Sequence, residues 1–154
     1  MVMKRGERVF VDTNVLLEAS DEGRRWQREA SGLFEHGPDH GIELCLSGQV
    51  LREYLVVATR GREHNGLGLA VEDALHNVGQ FRARATLCPE TTQVSSRLLE
   101  LIASLGTTGK KIHDLNIAAT AMVAGVEGIV TGNPKDFSGH PGLRILPLGD
   151  VTLP

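Results

Sequence analysis

Asp12, Glu53, Asp114 and Asp136 each fall where an apolar run ends or a helical pattern begins, and as a set they have the makings of a carboxylate metal site. The clearest is Asp12. Arg8-Val9-Phe10-Val11 is a short β-rich run that halts on this acid, and Thr13 and Asn14 follow as residue types that favour helix starts. In a parallel α/β sheet the carboxyl ends of strands face the ligand crevice, so an acid at this point is aimed at a site. Magnesium and manganese prefer carboxylate oxygen and water, and Mg2+ keeps several waters in an octahedron at about 2.0–2.1 Å, so a few acids around a groove suffice. Such a site acidifies water, aims it at phosphorus and neutralises the leaving oxygen; two ions about 3.5–4 Å apart divide those tasks. Phosphodiester hydrolysis is the chemistry these residue types suit. Asp114, near a predicted helix N-terminus, is expected to be favoured in its ionised form by the backbone dipole.

Each residue also has a plainer role. Asp12 could cap the turn beginning at Thr13, and Asp114 could be an ordinary first-turn acid. Glu53 could lie on an exposed helix face beside an Arg, and Asp136 could close an Asx-turn before Phe137. Thr13 and Asn14 could orient the ligand shell or simply start a helix; Thr131 could support an acidic site or merely form strand. His113 projects differently from its neighbour Asp114 on a helix, which suits a cap or a substrate contact better than ligation. Arg52, Arg60, Arg62, Lys110, Lys111 and Lys135 lie in or beside the acid-bearing segments and could hold flanking phosphates or solvate the surface. Trp26 and Tyr54, the only Trp and Tyr, both fit apolar helix faces, which offers little support for a base-stacking platform.

The elements that must position these residues alternate along the chain. After the first strand, Trp26, Ala30, Leu33 and Phe34 mark one amphipathic helix, and His36 to Gly41 break it. Residues 42–46 suit a short buried strand, after which Ser47 caps a helix carrying Val50, Leu51, Tyr54, Leu55 and Ala58, with Glu53 on its second turn. Leu69, Ala74, Leu75, Val78 and Phe81 mark a further helix, and residues 85–88 a strand stopped by Pro89. Thr91 or Thr92 caps a helix with Val94, Leu98, Leu101, Ile102 and Leu105 inward, ended near Gly106. An Ala-rich helix from His113 to Ala124 is capped by Gly125, and strands at 128–131 and 143–146 enclose the loop of Asp136. Strand and helix alternate throughout. Right-handed crossovers then predict an α/β fold, a parallel sheet with helices on both faces.

At 154 residues the chain is long enough to bury about two-thirds of its unfolded surface around one core, and no linker or repeat divides it. Residues 1–154 are therefore expected to form a single domain. The opening segment is charged and lacks an apolar h-region, and no run reaches the roughly 18 apolar residues of a membrane span. A cytoplasmic protein without membrane partners is expected. Cys45 and Cys88, each in an apolar segment, read as buried free thiols and offer no zinc spacing. The net charge of −3 argues against bulk electrostatic binding of nucleic acid, yet with four acids neutralised by metal the remainder sums to about +1.

Val11-Asp12-Thr13-Asn14-Val15-Leu16, Ser47 with Glu53-Tyr54, His113 to Ala119, and Thr131 to Phe137 resemble the PIN-domain nucleases, more narrowly the VapC-like toxin ribonucleases of type II toxin-antitoxin systems. The likeness covers almost the whole chain. It implies a PIN-like three-layer α/β/α sandwich with a central, mainly parallel β-sheet, and a metal-dependent endoribonuclease that cuts RNA with activated water. It implies Mg2+, with Mn2+ as substitute, on Asp12, Glu53 and Asp114, with the last motif completing the pocket. Here the chain departs from the pattern: Asn133 stands where many relatives have Asp. Asp136 is then the available fourth carboxylate, while Asn133 offers an amide oxygen. The resemblance further implies a VapB-like antitoxin, a homodimer, and contact with operator DNA only through the antitoxin. Two other readings compete. A noncatalytic PIN-fold interaction module needs no metal, and a haloacid-dehalogenase-type phosphatase needs a second acid where Asn14 stands.

Overall fold

The computed structural model describes residues 2–140 and 142–154; Met1, part of the charged opening segment, and Pro141 lie outside them. Five strands, β1 (Arg8–Val11), β2 (Glu43–Ser47), β3 (Ala85–Cys88), β4 (Gly128–Thr131) and β5 (Arg144–Pro147), form one sheet in the order β3-β2-β1-β4-β5. All four pairings are parallel. The central strands have to be apolar on both sides, and they are: Val9, Phe10 and Val11 of β1 and Ile129 and Val130 of β4 have no exposed surface.

Among the described residues six α-helices flank the sheet: α1 (Thr13–Ala19), α2 (Gln27–His36), α3 (Gly48–Thr59), α4 (Val71–Arg84), α5 (Thr92–Leu105) and α6 (Lys111–Val123). Helices α1 to α4 pack among themselves and α5 packs on α6, as right-handed crossovers on either side of β1 require. On the first face Phe81 meets Phe34 at 4.7 Å and the ring of Tyr54 edge-on at 5.4 Å. Burying side chains of this size is worth roughly 1.5–3 kcal/mol each. Val94, Leu101, Leu115 and Ala119 form a smaller cluster between α5 and α6. Gly106 and Gly125 end those two helices at φ of 64° and 70°, a region costly for residues bearing a Cβ.

The alternation departs from the sequence pattern in two places. Among the described residues the β4–β5 connection holds no α-helix, only a 3-10 turn at Pro134–Phe137: Pro134 starts the turn, and it ends where Ser138 is extended and Gly139 takes a φ of 85°. An additional helix, α1, precedes the one expected near Trp26, and Trp26 itself stands just before α2 with its ring against Gly149. Among the described residues no helix is long and apolar enough to cross a membrane.

Candidate functional site

The sheet order puts the reversal of chain direction at β1, where the path leaves outward to β2 and β3 and later returns to β4 on the other side. A crevice opens beyond the strand ends at such a point. The backbone N–H of Asp12 donates to the Val130 carbonyl at 3.0 Å, extending the β1–β4 ladder by one residue and setting Asp12 beside Thr131. The Asp12 side chain is 6% exposed and both its oxygens are engaged. Oδ1 accepts from the Thr13 N–H at 2.7 Å, capping α1, and Oδ2 accepts from the Thr131 hydroxyl at 2.7 Å. The capping role and the place in the crevice thus coincide.

Thr131 is a hub. Its hydroxyl donates once, to Asp12, and accepts from Asn14 Nδ2 at 3.3 Å and the Asn133 N–H at 3.0 Å, which uses its whole capacity. Asn14 also accepts from the Gly132 N–H at 2.9 Å. The position where a phosphatase would need a second acid is therefore an amide tying α1 to the end of β4.

Glu53 reaches the same crevice from α3, whose start is set by Ser47: the hydroxyl at the end of β2 accepts from the Val50 N–H at 3.4 Å. No Arg takes Glu53. Its Oε2 accepts from the Thr13 hydroxyl and its Oε1 from Gln49 Nε2, both at 2.8 Å. Asp114 arrives from the first turn of α6, half-buried, and its carboxylate makes no hydrogen bond among the described residues. Asp136 lies in the 3-10 turn after β4, where Asn133 Nδ2 donates to its Oδ2 at 2.6 Å. Asn133 is thus turned towards Asp136, so the two act as a pair.

The acids feel one another. Burial raises Asp12 to about 6, with help from the charges of Asp114 and Glu53 and against the bonds from Thr131 and Thr13. Burial likewise raises Asp114 to about 6, reinforced by Asp136 and Glu53 and opposed by His113 and Lys111. This corrects the expectation that the helix terminus would hold Asp114 more firmly ionised: loss of water and like charge outweigh the dipole, which is worth about 0.3–1 kcal/mol at an exposed terminus.

A hard divalent cation matches this chemistry in donor type, since the converging groups are oxygen ligands and a cation relieves the repulsion that burial magnifies. Among the described residues no three His, Cys, Asp or Glu close into a tight ligand cluster. Glu53 and Asp136 are drawn to Thr13, Gln49 and Asn133 instead, so the fit is to an ion held by few direct oxygens and its own waters, the habit of Mg2+.

Of the basic residues singled out in sequence, Lys111 acts on Asp114, whereas Arg52 pairs with Glu90 at 3.6 Å and Arg62 with Asp21 at 3.6 Å. Three polar residues went unassigned to any role. Gln49, 5% exposed, donates to Glu53 and to the His113 carbonyl at 2.8 Å each; Asn116 donates to Gln49 Oε1 at 2.6 Å and to Glu90 Oε1 at 2.9 Å. The i, i+4 spacing of Gln49 and Glu53 was the available signal for the first.

Among curated proteins none matches the chain in sequence. Solved structures of toxin-antitoxin proteins share its fold. A Rickettsia felis VapBC2 complex bound to a DNA fragment from its promoter is 19% identical, with 91% of this chain and 98% of that chain covered and a TM-score of 0.66. DNA-bound VapBC from Salmonella typhimurium is 24% identical, with 92% and 98% covered and a TM-score of 0.66. Mycobacterium tuberculosis VapC20, described as a sarcin-ricin loop cleaving toxin, is 16% identical, with 79% and 86% covered and a TM-score of 0.59. The family described as PIN domain matches residues 9–140. That span runs from the second residue of β1 past the 3-10 turn of Asp136 and takes in all four acids, and the chain belongs to the PIN domain family.

Proposed function

We propose that this chain is a VapC-like toxin, an endoribonuclease that hydrolyses RNA phosphodiesters with Mg2+, or Mn2+ in its place. The observation that carries the reading is the shared crevice: Asp12, Glu53, Asp114 and Asp136 come from four separate parts of the chain, and Asp12 and Asp114 are raised to about 6 by burial and by neighbouring acids of the set. Carboxylates so placed are stabilised by a cation, and the alternative cost of keeping them charged and dry is considerable.

Asp12, Glu53 and Asp114 would hold the ion, with Asp136 as the fourth acid and the Asn133 amide beside it. The ion, when bound, supplies charge neutralisation at a scissile phosphate and acidifies attacking water. The protein's own groups set the stage. Thr131 and the Thr13 N–H fix both oxygens of Asp12, so the carboxylate presents its remaining lone pairs in one direction. Thr13 does the same for Glu53. Lys111, beside Asp114, offers a positive charge to a phosphate next to the cleavage point.

The partners follow from the same reading: a VapB-like antitoxin, a second copy of this chain, and operator DNA through the antitoxin. Support comes from the solved toxin-antitoxin complexes that share the fold and from apolar side chains that this chain leaves uncovered, Val56, Val71 and Leu75 on α3 and α4. An upstream gene for a small DNA-binding protein with an Arg-bearing tail would supply the antitoxin. A cytoplasmic setting accords with this role.

The test is cleavage of a panel of transfer and ribosomal RNAs with Mg2+, Mn2+ or chelator. The wild type should cut in either metal and not in chelator, while Asp12→Asn and Asp114→Asn fall to background and stay folded by circular dichroism. Variants that cut as fast as wild type would remove these acids from the reaction. A wild type that neither cuts nor takes up metal in calorimetry would leave a noncatalytic PIN-fold module.

A further inference from the structure

We propose that Gln49 is a positioning residue that sets Glu53 relative to the Asp114 segment, and that Asn116 locks Gln49 in the one amide orientation that can do so. The inference rests on the metal-site reading above and extends it to residues outside the acidic set.

Gln49 has one amide oxygen and two N–H donors, and all three are directional here. Its Nε2 gives one hydrogen to Glu53 Oε1 and the other to the carbonyl of His113, at 2.8 Å each. Its Oε1 receives Asn116 Nδ2 at 2.6 Å. Turning the amide over would set oxygen against a carboxylate and a carbonyl, and would set two N–H donors against each other, so only one orientation is satisfied. Asn116 is held in turn by Glu90, to which it donates at 2.9 Å.

The consequence is geometric. Glu53 lies on α3 and Asp114 on α6, helices from opposite sides of the chain's reversal at β1, and His113 immediately precedes Asp114. One amide thus grips both the Glu53 carboxylate and the backbone that starts the turn of Asp114. Because Gln49 is 5% exposed, water does not substitute for it cheaply. With Thr13 on Oε2 and Gln49 on Oε1, each oxygen of Glu53 accepts one hydrogen bond and keeps a lone pair. That leaves the carboxylate oriented and still able to accept a cation or its water. Groups that orient a ligand in this way typically change metal affinity or activity by about 10–100-fold when removed.

The experiment measures Mn2+ binding to the full chain by calorimetry, with thermal midpoints recorded on the same samples. Gln49→Met preserves length and apolar volume and removes all three bonds. Its Mn2+ dissociation constant should rise by about 10-fold or more. Asn116→Ala leaves both bonds from Gln49 possible but frees the amide to turn, and should weaken Mn2+ binding by a smaller factor in the same direction. This second variant decides the matter if Gln49→Met fails to fold. A lowered thermal midpoint with Mn2+ affinity within about twofold of wild type would make Gln49 a structural brace only and overturn the proposal. With Mn2+ bound by the wild type and not by Asp114→Asn, unchanged affinity in the Gln49 variant overturns the positioning role alone; a wild type that binds no Mn2+ overturns the metal-site reading with it.

Discussion

At Asp12 two opposed needs meet in one side chain. Its oxygens cap α1 and receive the Thr131 hydroxyl, which favours the charged form, yet burial and the neighbouring acids disfavour it more and raise it from 3.8 to about 6. The sign of the stability effect follows. Between those values the folded protein holds a proton that the unfolded chain has released, so the stability present below about pH 4 is lost as pH rises to about 6 and changes little above. For Asp12 this loss is on the order of 3 kcal/mol, while the half-exposed Asp114 adds a smaller share in the same direction. In metal-free buffer, then, the thermal midpoint of Asp12→Asn, which cannot titrate there, should gain on wild type as pH is raised from about 4 to 6.5. Denaturation followed by circular dichroism across that range tests it, and curves that run parallel would mean that Asp12 carries no such burden. Saturating Mg2+ should close the gap by favouring the ionised wild type.

Element by element, what could be read in advance was whatever repeats. Short β-rich and apolar runs located the five strands to within a residue, and the apolar stripe of α5 was plain because only one of its faces is covered. Helix α1 escaped notice for the opposite reason: Thr13, Val15, Leu16 and Leu17 are all buried, so a seven-residue helix shows no stripe at all. Asp12 and Asp114 could be found because they sit at element boundaries, and Gln49 carried only its i, i+4 spacing to Glu53, whereas the contacts of Gln49 and Glu90 with Asn116 span 67 and 26 positions and nothing periodic marks them. Ser47 shows how much one boundary residue can decide. It ends β2, has no exposed surface, and caps the helix that carries Gln49 and Glu53. Ser47→Ala should cost about 1 kcal/mol, a fall in midpoint of some 2–4 °C for a domain of this size. Chemical denaturation should show the loss in midpoint with an unchanged m-value. A variant as stable as wild type would mean that packing on β2, rather than the cap, sets where α3 begins.

For the molecule as a whole, the distances in sequence between residues 12, 53, 114 and 136 mean that an unfolded chain presents the four acids as isolated carboxylates with negligible affinity for Mg2+. Only the fold brings them into one field, through the return of the chain to β1 and the meeting of α3 and α6 above the strand ends. A cation that binds only the folded state must stabilise it: at a hundred times its dissociation constant the gain is about 2.7 kcal/mol, or roughly 5–10 °C in thermal midpoint for a chain of this length. The gain should grow with the logarithm of metal concentration and vanish in chelator. It should also be site-specific. Asp114→Asn removes a half-buried charge and relieves the repulsion from Asp136 and Glu53, so its metal-free midpoint should match or exceed that of wild type, while its response to Mg2+ collapses. Scanning fluorimetry of both proteins over a Mg2+ titration, at constant ionic strength set with KCl, separates this from general screening of a chain with net charge −3. Equal gains in wild type and Asp114→Asn would place the ion elsewhere on the surface and detach the crevice from metal altogether.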